Sequence, residues 1–302
     1  MLATLPSELL CHIYSFLPHP SHINQVSLTC RSLYSSALPT LYSTVILSFR
    51  THIRQLEKGL SHGGLLSTIV RHYTKTLVLT CKQSGHHRLI QDVRSLLHHV
   101  PGVQSLTLTD FSQLPIETIV HTLFHPLPQL SNVSLRYCNL VSASTTTTLK
   151  AVPFIHRLEV YWTDFPADAM ATLLRALPSL THIRLLANHN RHVMANTHTL
   201  AVLPTLCPAI TDLDLGLQEI DEQTLVHCLQ SYGAQLTHLA LCSHHGEAAL
   251  TAITQYCLGV RHLAMRGGLV AALGRLHPFC PRQSKPQAVV LDQDQLQQLR
   301  SL

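Results

Sequence analysis

Twenty-three histidines and nine cysteines are the residues of this 302-residue chain most able to do chemistry. Their spacing argues against most of it. His86–His87, His98–His99 and His244–His245 are adjacent pairs, and adjacent side chains on a helix do not converge. His121 and His125 stand four apart on a predicted helix, yet no Glu completes a His-Glu-x-x-His motif and no third ligand is in sight. No metal site is expected. The cysteines are dispersed, with no Cys-x-x-Cys. They read as reduced thiols used as small apolar residues, which predicts the cytoplasm and/or nucleus. Cys30 and Cys138 lie near arginines without a general base at a known spacing. No Gly-x-Ser-x-Gly elbow, Gly-x-Gly-x-x-Gly turn or phosphate-binding P-loop occurs. The expectation is a non-catalytic chain without a cofactor.

Binding chemistry is better represented, and it is periodic. An apolar anchor followed three and five residues later by apolar residues recurs at Val103, Leu130, Ile155, Leu180, Ile210, Leu236 and Val260, at intervals of 27, 25, 25, 30, 26 and 24. Leu77 and Leu79 form a degenerate earlier copy, and Val289 and Leu291 a possible later one. The apolar pair alternates at period two, as a strand does. Leu89, Val93, Leu96, Leu97 and Val100 have helical spacing before one such strand, as do Met170, Leu173, Leu174 and Leu177 before another. Pro101, Pro128, Pro153, Pro178 and Pro208 end the helices. One strand and one helix every 24–30 residues fits a leucine-rich repeat. Such units must stack to bury their apolar faces. The predicted fold class is therefore α/β: a solenoid over 48–302 with parallel strands on a concave side and helices outside. A doubly wound α/β enzyme would need glycine-rich turns, and only 12 glycines are present.

In such a solenoid the residues two, four and six after each anchor face the concave side. Those columns place Arg136, Arg157, Tyr161 and Arg184 together in the middle repeats, with Tyr137 and Trp162 just beyond. Arginines and aromatics anchor protein interfaces, and arginine matches carboxylate or phosphate. Arg136, Arg157, Tyr161, Trp162 and Arg184 are the predicted client-binding residues, for an acidic or phosphorylated protein segment. His182, His238 and His262 recur two places after their anchors, a column able to make binding pH-sensitive.

The first 47 residues have a different character. Leu9, Leu10, Ile13, Phe16 and Leu17 follow helical spacing, Pro6 suits the first turn, and Pro18 and Pro20 stop the helix. Ile23, Val26 and Leu28, then Leu33, Leu38 and Leu41, make a second and third short helix, which Pro39 breaks near its end. So small a piece buries little on its own. Tyr42 to Phe49 is expected to form the first strand of the repeats.

Leu5-Pro6-x-Glu8-Leu9-Leu10-x-x-Ile13-x-Ser15-Phe16-Leu17, then Val26-x-x-x-Cys30-Arg31-x-Leu33-Tyr34 and Leu41-Tyr42, resembles an F-box. With the repeats behind it, the chain resembles F-box/leucine-rich-repeat proteins. That resemblance implies a three-helix F-box over 1–47 that docks on the S-phase-kinase-associated adaptor of an SCF-type cullin–RING ubiquitin ligase. By motif position the adaptor contacts fall on Leu5, Pro6, Leu9, Leu10, Ile13, Leu17, Val26 and Leu33. It also implies that residues 48–302 hold the client and that other subunits transfer ubiquitin. The rival reading is a leucine-rich-repeat scaffold without a ligase role, its head a mere cap.

Composition narrows the partners. Charged residues make up 12% of the chain and the net charge is +5, without a basic block. Neither nucleic acid nor a membrane is expected as a partner. No apolar run approaches the length of a membrane span, and the N-terminal segment lacks the basic region of a signal peptide.

Overall fold

The computed structural model describes residues 5–17, 19–81, 86–142, 149–186, 191–192, 194–217, 220–243, 246–267 and 289–291. The chain forms two compact units, residues 1–109 with 122–130, and residues 110–121 with 131–302.

In the first unit, α1 (Ser7–Ser15), α2 (Pro20–Ser27) and α3 (Arg31–Tyr42) close on a small core of Leu10, Tyr14, Ile23, Leu33 and Ala37, with Leu17, Val26 and Leu41 packed against it. The Tyr14 hydroxyl, buried, reaches the Leu33 carbonyl at 3.3 Å and the Ser36 hydroxyl at 3.1 Å. Pro20 does not stop the first helix. It opens α2, where its missing N–H would have had no intrahelical partner. Pro18 lies outside the described residues. Pro39 sits inside α3, which continues to Tyr42. The N–H it lacks would have met the carbonyl of Ser35, an exposed residue.

The first unit continues with β1 (Thr44–Leu47), α4 (Arg50–Ser61), α5 (Leu65–Tyr73), β2 (Thr76–Thr80), α6 (His86–His99) and β3 (Ser105–Thr109). The three strands are parallel and in register, with Leu47 opposite Leu79 and Leu79 opposite Leu108. Arg50 and Arg54 of α4 both meet Asp92 of α6, at 2.6 and 3.0 Å.

The helix expected around His121 and His125 is a π-helical segment, Thr118–Phe124. The second unit holds β4 (Leu114–Pro115), β5 (Asn132–Arg136), β6 (Leu140–Val141), β7 (Arg157–Tyr161), α7 (Ala167–Ala176), β8 (His182–Leu186), α8 (Ala195–Leu206), β9 (Asp212–Leu215), α9 (Glu222–Tyr232), β10 (His238–Ser243), α10 (Gly246–Tyr256), β11 (His262–Gly267) and β12 (Val289–Leu291). β5, β7, β8, β9, β10 and β11 are parallel neighbours in that order. β12, the expected last copy, runs antiparallel to β11. It departs from the parallel rule that the periodicity implied.

One hydrogen-bond device repeats along this unit. The N–H groups of Arg157, His182, Asp212, His238 and His262, each with that of the residue before, converge on the carbonyls of Ser131, His156, Thr181, Thr211 and Thr237 respectively. The alternation of the anchors is obeyed: Leu158, Val160, Ile183, Leu185, Leu213, Leu215, Leu239 and Leu241 are buried, and the residues between them are not. Fully burying one such side chain contributes about 1.5–3 kcal/mol, so the strands are held by the inward pairs and the outward residues are free to vary.

The helices add polar groups to this core. The Tyr232 hydroxyl donates to the Cys207 carbonyl at 2.9 Å. Burial pushes the Cys207 and Cys228 thiols up to about 12, and burial raises the Tyr232 phenol still further. The eight described cysteines are free thiols, with Cys30 and Cys242 exposed. The folded chain thus keeps protons that the unfolded chain releases above about pH 8.5, the ordinary thiol value. Their contribution is complete below that pH and is lost as pH rises toward 12, at up to about 1.4 kcal/mol per unit for each group. Melting temperature is expected to fall steadily from pH 8.5 to 11. A thiol reagent at pH 8 is expected to label Cys30 and Cys242 while sparing Cys207 and Cys228 until denaturant is added.

Candidate functional site

Two surfaces present chemistry, one in each unit. On the head, α1 carries two parallel apolar stripes. Leu10, Tyr14 and Leu17 turn inward; Leu9, Ile13 and Phe16 turn outward, with Leu9 51% exposed. Leu5, Leu28 and Tyr34 are exposed as well, and so is Pro6. Of the eight expected adaptor contacts, Leu5, Pro6, Leu9 and Ile13 are exposed and Leu17 and Val26 are half-buried. Leu10 and Leu33 are corrected: they are 2% and 6% exposed and belong to the head's own core. Their side chains face Tyr14 and Ala37 and are not available at the surface. Phe16, Leu28 and Tyr34 are exposed apolar residues absent from the expected set. The signal for Phe16 was present: α1 has more apolar residues than one face can hold.

In the second unit, the strand register turns the outward columns into rows. One row reads Arg157, His182, Asp212, His238, His262; the next reads Glu159, Arg184, Asp214, Ala240, Ala264. Opposite charges meet along and between them. Arg157 binds Glu159 on its own strand at 2.9 Å, and Arg184 binds Asp214 at 2.6 Å while donating to the Tyr161 hydroxyl at 2.8 Å. Burial disfavours the Arg184 charge, but the Tyr161 hydroxyl and Asp214 outweigh it and hold the guanidinium above its ordinary range. Asp212 bridges His182 at 3.2 Å and His238 at 3.0 Å, and His238 stacks on His262 with centroids 4.6 Å apart. The Thr181 and Thr237 hydroxyls lie 2.8 and 3.0 Å from Nδ1 of His182 and His238. Over the small Ala240 and Ala264 side chains this face opens a hollow of about 330 Å³, with Asp214 and Arg184 at one side and His238 and His262 at another.

The expected client-binding residues therefore divide. Arg157 and Arg184 are already neutralised by Glu159 and Asp214. Arg136 is not: its Nε donates to the Ser134 hydroxyl at 3.1 Å, and its guanidinium lies 5.0 Å from the Tyr161 ring centroid. Arg184 lies 6.0 Å from the same ring. Tyr137 and Trp162, the residues after β5 and β7, are exposed. Among the described residues Arg136 has no carboxylate partner and lies beside an aromatic ring. His121 is exposed and His125 half-buried, and the His244–His245 pair lies outside the described residues. Among the described residues no three His, Cys, Asp or Glu side chains are grouped to hold a metal ion, and no helix is long and apolar enough to cross a membrane.

No curated protein matches the chain significantly. A protein-family comparison, however, matches the head whose exposed leucines are described above: residues 2–48 of the chain form an F-box-like domain.

Proposed function

We propose that the chain is the substrate-recognition subunit of an SCF-type cullin–RING ubiquitin ligase. The observation that carries this reading is the outward stripe Leu9, Ile13 and Phe16, left in water by a head that has already closed its own core, within the segment that matches the F-box-like family. Leucines exposed beside a completed core favour a second polypeptide over a cap. That polypeptide is the S-phase-kinase-associated adaptor, met through Leu5, Pro6, Leu9 and Ile13. The strand–helix units after the head are read as leucine-rich repeats. Their open strand face holds the client, in the cytoplasm or nucleus. The chain makes no bond itself; it raises the effective concentration of a client lysine at the transfer site.

Adaptor co-purification with the full-length chain tests the first half, and failure of the adaptor to bind ends the reading. The client half rests on charge. Arg136 lacks a carboxylate partner among the described residues, whereas Arg157 and Arg184 have one each. An acidic client segment is expected to weaken at least about tenfold on Arg136→Glu, equivalent to about 1.4 kcal/mol, and to change little on Arg157→Ala. Binding assays on a trapped client, with and without 0.5 M salt, check both.

A further inference from the structure

A third surface lies wholly within the first unit, where helices run into strands. It is a cleft of about 500 Å³. The last turn of α5 supplies Arg71 and His72, and Lys75 follows just before β2. Ser67 lies one turn back on α5, and the segments leading into β3 and β5 supply Gly102 and Gln129. The backbone that carries Lys75 is pinned on both sides. Its N–H donates to the Ser43 carbonyl at 2.9 Å, and its carbonyl accepts from the N–H groups of Gln104 and Ser105 at 2.8 and 3.0 Å. The neighbouring Thr74 hydroxyl donates to the Tyr42 carbonyl at 3.1 Å. Gly102 keeps the cleft open: a side chain there would begin 3.7 Å from Lys75 Nζ and 3.5 Å from the Arg71 carbonyl oxygen. Three side chains able to carry positive charge thus line one hollow, and among the described residues no aspartate or glutamate lines it. The dipole of α5 accounts for Arg71 and His72, since cations suit a helix C-terminus. It does not account for Lys75, which lies beyond the helix with its ammonium over Gly102.

We propose that this cleft binds the phosphate group of a small soluble compound. The proposal goes beyond the ligase reading and does not rest on it. Charge selects an anion. Arg50, Arg54, Arg157 and Arg184 each meet a carboxylate of the chain, whereas among the described residues Arg71 and Lys75 meet none. The donor set selects phosphate over carboxylate. A guanidinium grips two phosphate oxygens at once and an ammonium adds a point charge. The His72 ring, the Ser67 hydroxyl and the Gln129 amide supply further donors on the same hollow. A carboxylate, with two oxygens and one charge, would leave several of these unmatched; a phosphate monoester brings three oxygens and a charge of about −1.5 to −2. Volume selects a small compound, since the hollow falls in the range of about 300–1,000 Å³ usual for such ligands. The bare Gly102 lets the ligand come against the backbone.

Isothermal titration of the full-length protein at about 0.15 M salt tests this with inorganic phosphate, pyrophosphate and glycerol 3-phosphate. Saturable binding at one site per chain is expected, tightest for pyrophosphate, which carries the most charge. The affinity of glycerol 3-phosphate relative to inorganic phosphate tells whether the source is an ester or free phosphate. The double variant Arg71→Gln, Lys75→Gln is expected to bind pyrophosphate at least tenfold more weakly. Arg136→Gln, which removes a cation from the other unit, is expected to bind it like the parent. Gly102→Leu changes no charge and fills the cleft, so it is expected to lose at least tenfold as well while melting like the parent. If Gly102→Leu melts lower, the double variant, whose two side chains are exposed, decides alone. No saturable binding of any of the three compounds up to about 10 mM would overturn the site. So would a loss that follows Arg136→Gln instead, or a Gly102→Leu protein that melts and binds like the parent. A phosphoserine peptide that binds at least tenfold tighter than every small compound would also overturn it, because the cleft would then belong to a protein partner. Loss of adaptor binding, by contrast, would strike the ligase reading and not this cleft.

Discussion

Replacing Leu9 and Ile13 together with aspartate is expected to abolish adaptor binding and leave the melting temperature within about 2 °C of the parent. Both side chains are exposed on the outward stripe of α1. In the free chain they touch water, so a carboxylate there has little to disrupt. In a complex each would be desolvated against an apolar partner, where an unpaired buried charge is costly. Truncating a central apolar anchor commonly costs 2 kcal/mol or more, so the pair is expected to weaken binding by about a thousandfold or more. Leu10→Ala is the contrasting variant. Leu10 is 2% exposed in the head's core with Tyr14, Ile23 and Leu33. Its truncation is expected to destabilise the head by about 2–5 kcal/mol. Adaptor pull-down beside thermal melting separates the two. A double aspartate variant that still captures the adaptor removes the stripe from the interface.

The same pair shows how far the residues alone could be read. Local periodicity was sufficient wherever one apolar face decides the structure. The period-two pairs Leu158/Val160 and Leu239/Leu241 became buried strand positions, and the helical runs at 89–100 and 170–177 became α6 and α7. It was insufficient where two faces compete. In α1 the apolar residues at 9, 13, 16 and at 10, 14, 17 have identical spacing, and only the position of α3 decides which stripe is inside. Tyr14 carried no signal of its importance, because its value lies in a hydroxyl reaching the Leu33 carbonyl across the bundle. The outward columns were legible as lists of residues, but pairing depends on register. Arg184 opposes Asp214, 30 residues away, and that one contact turns a free cation into a neutralised one. The left-handed turns at Tyr137 and Trp162 were not legible either, since nothing about Tyr or Trp announces φ near 50°.

The second large effect concerns how successive units pack. Gly233→Ala is expected to destabilise the second unit severely, although alanine ordinarily improves a helix. Gly233 has helical dihedrals, φ −49° and ψ −43°, at the end of α9. Helix propensity alone would favour alanine there by about 1 kcal/mol. The new Cβ, however, would overlap the Tyr256 carbonyl oxygen at the end of α10, lie 2.7 Å from that carbonyl's carbon and 2.9 Å from the Leu229 carbonyl oxygen. These are backbone atoms, and no rotamer change moves them. Relief requires α9 and α10 to separate. Overpacking costs about 1–3 kcal/mol even where side chains can yield, and here they cannot, so steric overlap outweighs propensity and a net loss of about 3 kcal/mol is expected. Displacing α10 would also disturb β10 and β11, which carry the stacked His238 and His262. Gly59→Ala supplies the control. It lies inside α4, and its Cβ would meet only the Leu66 Cδ2 at 3.5 Å, an ordinary contact. There propensity is unopposed and a gain of about 0.5–1 kcal/mol is expected. Urea unfolding of both variants measures the difference, and equal effects at the two glycines would show that α9 and α10 are not packed backbone to backbone.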